Sequence, residues 1–238
     1  MPKFGEPIQA AARRFQGLAL FAGSALAGGI ATFCTHPLDT MLVRRQCGQA
    51  GGLLAAGLWR GVVPATAGGF LFFGQMQFTY GLLVGAGLGP AAAGAASGLG
   101  EALLRGPIES IKNLRQTGCV IANSGLSRLL VKGTAAMACR EIPGNAVYFA
   151  AFATAMEAQK RGPDTFAGNA IAGACAGTAW ALLLHPVDAL RVQYVTDKPL
   201  QLTYRGIGPA IVRTSMSATV YFAMLGQIRR WYEGLDDC

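Results

Sequence analysis

Three charged residues set in apolar runs carry the chemistry this sequence offers: Arg140 and Glu141, in Arg140-Glu141-Ile142-Pro143-Gly144, and Arg213. A guanidinium forks onto a carboxylate through two parallel N–H donors, so Arg140 can hold a carboxylate and Arg213 can clamp a second anionic group. The Glu141 carboxylate accepts from an ammonium. Together the three suit a small zwitterionic metabolite such as an amino acid. The competing reading makes Arg140 and Glu141 a structural pair and lets Arg213 snorkel to an interface. Ionisable side chains in apolar helices usually line a pathway, which favours binding. No nucleophile and base, metal-ligand cluster or phosphate loop stands out, so an enzyme is not expected and no metal is called for.

The elements that must position these residues are membrane helices. Of the 238 residues, 52% are hydrophobic and 13% charged, and the mean hydropathy is +0.37. The 33 glycines lie inside apolar runs, as in closely packed membrane helices. The net charge of +8 comes from bases at the ends of apolar segments, which points to basic loops on one side of a membrane and away from nucleic acid. The six cysteines form no CxxC pair, so free thiols are expected and a disulfide framework is not. Lys3, Arg13 and Arg14, interrupted by Glu6, read as a short arm entering the first helix and not as a transit peptide.

One stretch organises the chain, residues 35–46, because two degenerate copies follow it. Pro37, Pro107 and Pro186 are each followed two residues later by an acid, Asp39, Glu109 and Asp188. Three residues beyond the second and third acids stand Lys112 and Arg191, whereas the first copy has Leu42. Thirteen and nine residues before the prolines lie Ser24 and Gly28, Gly94 and Gly98, and Gly173 and Gly177, a small-xxx-small pair each time. Gln46 and Gln116 follow their prolines by nine residues. The elements Trp59-Arg60-Gly61, Val131-Lys132-Gly133 and Tyr204-Arg205-Gly206 come next, and seven residues after their glycines lie Gly68, Arg140 and Arg213.

Apolar runs of about 20 residues, enough to cross a bilayer core, place odd-numbered helices near 18–46, 90–117 and 165–195. Even-numbered helices fall near 62–86, 134–159 and 207–232. The chain thus reads as a single all-α membrane domain over 1–238, with repeats at 17–88, 89–162 and 163–233. The three prolines fall inside the odd helices and should kink them. Bases crowd the loops joining odd to even helices, which makes that side the interior one and puts both termini opposite.

The sequence resembles the mitochondrial carrier family, whose three tandem repeats each carry P-x-[DE]-x-x-[KR] on a kinked odd helix. The resemblance runs from about Gly17 to about Trp231 and implies six transmembrane helices with threefold pseudo-symmetry in the mitochondrial inner membrane. It implies alternating access around a central site, with both termini toward the intermembrane space. It assigns substrate contacts to Gly68, Arg140 and Arg213, with Glu141 beside Arg140 as in carriers of amino acids. It assigns a matrix gate to Asp39 with Lys112 and Glu109 with Arg191, braced by Gln46 and Gln116, and leaves Asp188 facing Leu42. No cofactor is implied beyond an anionic lipid such as cardiolipin near Arg60-Gly61, Lys132-Gly133 and Arg205-Gly206.

Charges facing lipid in place of a gate would cost about 2.5–3.5 kcal/mol each. Glu101 and Arg105, one turn apart, can neutralise one another and read first as structural, then as cavity-lining. His36 and His185 read as helix-packing residues. The outer gate departs from the family: its positions hold Tyr80, Phe152 and Leu225 with Arg229 as the lone base, so apolar contact must close that side. The alternative function is a carrier-fold subunit of a respiratory or other inner-membrane complex that has lost transport.

Overall fold

Apolar runs separated by polar or glycine-containing stretches become six helices among the described residues: α1 (Glu6–Gln46), α2 (Val62–Gly85), α3 (Pro90–Thr117), α4 (Leu126–Ala158), α5 (Phe166–Val195) and α6 (Ile207–Asp236). The computed structural model describes residues 6–46, 57–59, 61–117, 126–159, 165–195, 199–202, 204 and 206–236, and no strand occurs among them. The expected spans match these helices to within a residue except at two starts and at the end of α6, which runs to Asp236 and not to 232. α1 begins at Glu6 and not near residue 18, so the expected arm is helical. Pro7 in its first turn and the run Ala10-Ala11-Ala12 favour that conformation. α4 begins at Leu126, which puts Lys132-Gly133 inside a helix instead of in a loop. A single interior glycine costs only about 1 kcal/mol, which the neighbouring leucines can outweigh.

The glycines of the other two elements behave differently. Gly61 and Gly206 take φ of +87° and +86° ahead of α2 and α6, a left-handed turn that glycine adopts without a Cβ penalty.

Each helix packs on its neighbours in sequence, and α1 returns to α6 to close the bundle. The small pairs set how closely the helices approach. Gly94 and Gly98 of α3 rest on the Asn145 and Glu141 carbonyls of α4, and Gly173 and Gly177 of α5 rest on the Ala218 and Thr214 carbonyls of α6. A Cβ at any of the four would run into backbone. In both hairpins residues four apart on one helix meet residues four apart on the other, the spacing of a small-xxx-small seam. In the first hairpin Gly28 meets the Phe73 side chain, and Gly69 of α2 approaches the Gly28 carbonyl.

Among the described residues, two helices, over Ala19–Leu42 and Phe166–Arg191, are long and apolar enough to cross a bilayer on composition alone. The others are diluted by polar residues: Gln75 and Gln77 in α2, Glu101 and Arg105 in α3, Arg140 and Glu141 in α4, Arg213 in α6. These turn inward or lie half-buried, while Leu26, Phe33, Leu71, Leu103, Leu183 and Val212 face outward. Pro37, Pro107 and Pro186 lie in helix interiors as expected, and so does Pro143 of α4, which the sequence reading did not single out. Each removes a backbone donor and frees the carbonyl four residues earlier.

Candidate functional site

The charges meet where α3, α4 and α5 face one another. The contact of Gly98 with the Glu141 carbonyl draws α3 against α4, and Glu101 and Arg105, one turn apart, reach across. Arg105 Nη1 lies 2.7 Å from Glu101 Oε1 and 3.3 Å from Glu141 Oε1. The Asn145 side-chain amide donates to Glu101 Oε2 at 2.8 Å. Arg140 Nη1 donates to Glu141 Oε1 at 2.5 Å, and its Nε stands 2.9 Å from Asp188 Oδ1 on α5. That Nε–H does not line up on the oxygen, so the second contact is an ion pair more than a hydrogen bond. Arg191, one turn beyond Asp188, donates Nε to the same oxygen at 3.2 Å.

These contacts form one chain from Asn145 through Glu101, Arg105, Glu141, Arg140 and Asp188 to Arg191. Its middle is deep: Glu101, Arg140, Glu141 and Asp188 are 3, 9, 2 and 8 % exposed. Charges at that depth are tolerated only when paired. Two rings support the guanidinium groups, Phe72 of α2 under Arg105 at 4.5 Å and Trp180 of α5 under Arg140 at 4.7 Å. Gly68 adjoins that Phe72 ring, and a Cβ there would press on it.

Of the expected substrate contacts, Arg140 and Glu141 therefore meet, and Gly68 joins them through Phe72. Arg213 lies instead in a separate pair, with Nη1 3.4 Å from Asp39 Oδ1 on α1. The implied pair of Asp39 with Lys112 rests on a side chain outside the described residues, and the described gate residues have other neighbours. Asp39 has Arg213 as its base. Asp188, expected to face only Leu42, is held by Arg140 and Arg191, and Leu42 is buried. Arg191, expected opposite Glu109, bonds Asp188. Glu109 is half-buried on α3. The side chains of Lys112, Gln46 and Gln116 lie outside the described residues, as do Arg60 and Arg205. The Lys132 ammonium sits over the Tyr194 ring at 4.3 Å.

His36 and His185 are buried, each with its ring 6.4 Å from the aromatic of its own repeat, Trp59 or Tyr204. Cys34, Cys139 and Cys175 are free and exposed; Cys47, Cys119 and Cys238 fall outside the described residues. An open apolar groove lined by Val131, Thr134, Ala135 and Ala138 contains none of the expected contacts.

A second layer is aromatic and belongs to the even helices. Tyr80 of α2 stacks on Phe149 of α4, and Phe152 of α4 stacks on Phe222 of α6, both with centroids 3.7 Å apart. Tyr148 lies against Phe149 and Phe222, and Tyr221 against Phe73. The Tyr221 hydroxyl donates to Gln77 Oε1 at 3.2 Å. Leu225 is buried and Arg229 exposed. The sequence reading named Tyr80, Phe152 and Leu225 but missed Phe149 and Phe222. Both stand three residues before a named position, so helical spacing alone could have found them.

An all-helical closed bundle with charges inside and apolar side chains outside is consistent with a membrane carrier. No protein-family model matches the chain. It is 25% identical over 255 aligned residues to S-adenosylmethionine carrier 1, chloroplastic/mitochondrial, of Arabidopsis thaliana, covering 88% of this chain and 78% of that protein. To the probable S-adenosylmethionine carrier 2, chloroplastic, of the same plant it is 24% identical over 86% of this chain and 72% of the relative. To the mitochondrial carnitine carrier of Saccharomyces cerevisiae it is 23% identical, covering 82% and 81% of the two chains. These distant similarities support membership of the mitochondrial carrier family without pointing to one member. They support a solute carrier over an enzyme and do not favour the structural-subunit alternative.

Proposed function

We propose that this chain moves a small zwitterion, an amino acid or a related metabolite, across the mitochondrial inner membrane by alternating access. The supporting observation is the buried chain of contacts around Arg140, where guanidinium and carboxylate groups alternate within reach of an indole. A zwitterion offers a carboxylate to Arg140 and a cation to Glu141 or Glu101, so each half finds an opposite charge already in place.

The relatives' named solutes share that chemistry. S-adenosylmethionine and carnitine each combine a carboxylate with a permanently charged methylated centre, and the Trp180 face that now carries Arg140 suits such a cation. Arg213 is the second anion contact once it leaves Asp39. In this reading the six helices all span, in three repeats about a pseudo-threefold axis, with both termini toward the intermembrane space. Anionic lipid such as cardiolipin caps the starts of the even helices near Gly61 and Gly206. The aromatic layer closes the cytoplasmic side.

Uptake of labelled carnitine, S-adenosylmethionine, lysine and alanine into proteoliposomes tests this. Saturable uptake of at least one, lost in Arg140→Ala and Arg213→Ala, is the expected result. Wild-type protein that takes up none of them, while folded and correctly inserted, overturns it.

A further inference from the structure

Resting on the carrier reading, we propose that Arg140 is a shared group. In the unloaded chain it ties α4 to α5 by holding Asp188, and the carboxylate of the incoming zwitterion takes the place of Asp188 on the same guanidinium. Loading the site and releasing α5 are then one exchange of anions.

The sequence creates the need. A base at residue 42 would answer Asp188 in the register of the other repeats, but Leu42 stands there, buried and apolar. Asp188 takes its base from the neighbouring even helix instead, 2.9 Å from Arg140 Nε. Across the bundle Asp39 likewise lies beside an even-helix base, Arg213 of α6, at 3.4 Å. In both cases the acid two residues after an odd-helix proline meets the base seven residues after an even-helix element glycine.

The geometry suits a swap. Of the two anions on Arg140, Glu141 accepts a short hydrogen bond, whereas Asp188 meets an N–H that is out of line. The poorer contact is the one to be broken. When Arg140 leaves, Asp188 keeps Arg191 at 3.2 Å, so no carboxylate is stranded in the interior. The Trp180 indole under the guanidinium keeps its plane in place while its partners change, so a substrate carboxylate meets a pre-oriented fork. A solute that forms this bond loosens α5 in proportion to its hold on Arg140, which is the differential affinity that a two-state transition requires.

Asp188→Asn, close in shape and without charge, tests the exchange in proteoliposomes against the same four solutes. Removing the competitor lowers KM by about tenfold for the transported solute, and the maximal rate falls with it because α5 is no longer drawn back. In detergent-solubilised full chain, the drop in Tm caused by Asp188→Asn is large without solute and shrinks when that solute is saturating. Asp39→Asn moves KM in the same direction by a smaller factor. An unchanged or raised KM in Asp188→Asn, with wild-type uptake intact, overturns the exchange while leaving the carrier reading standing. Absence of uptake in the wild type itself overturns both, and is seen before any variant is made. Should Asp188→Asn fail to fold, Asp188→Glu decides it: the longer acid tightens its hold on Arg140 and raises KM, and an unmoved KM refutes the exchange.

Discussion

The charged layer joining α3, α4 and α5 and the aromatic layer joining α2, α4 and α6 hold the same bundle by opposite means. In the first, six charged side chains and Asn145 are linked in series, each group costly to leave alone at that depth. In the second, stacked rings add roughly 0.5–1.5 kcal/mol per pair beyond their burial and tolerate sliding. Under the proposed exchange, a charged solute replaces a member of the first layer because it carries the same groups. It has nothing to offer the second. Sensitivity to ligand should therefore be concentrated in one layer, although α4 contributes to both.

The largest break in that comparison is Arg140→Ala, which strips Glu141 and Asp188 of a shared partner. It should cost about 3–5 kcal/mol, read as a lowered midpoint of thermal unfolding, and should reduce uptake to background. Phe149→Ala, at a ring only 1 % exposed, should cost about 3 kcal/mol through the cavity it leaves. Its loss should be the same with and without saturating solute, and a strong solute dependence there would erase the distinction between the layers. A smaller pair sharpens the contrast. Gly98→Ala and Gly177→Ala both push a Cβ into a facing carbonyl and should each cost about 1–3 kcal/mol. Only Gly98→Ala separates α3 from α4 beside Glu101 and Glu141, so uptake per folded molecule should fall in that variant and hold in the other. Smallest is Asp39→Asn, at a pair whose side chains are 32% and 20% exposed. Its stability cost should stay below about 1 kcal/mol and fade in high salt.

Much of the fold was legible because its determinants are local. Apolar run length placed the helices, and the spacing of Gly94 with Gly98 and Gly173 with Gly177 marked the close contacts. Pairing was harder to read. Arg140 and Glu141 adjoin in sequence and were seen together, and Glu101 with Arg105 followed from one helical turn. Asp188 with Arg140 and Asp39 with Arg213 depend on how neighbouring helices are set against each other, which no spacing within one helix encodes. The early start of α4 was hidden for a related reason. Lys132-Gly133 has the composition of the turns at Gly61 and Gly206, yet its glycine stays helical.

That unbroken helix has a mechanical consequence. At 33 residues, α4 is a rod of roughly 50 Å with no elbow at its element glycine, where the first and third hairpins have one. Its weakest rung is at Pro143, three residues past Arg140, so any bending of α4 falls beside the buried charges and not at Lys132-Gly133. Two even helices start at a glycine elbow, and the third has its weak point beside its buried charges.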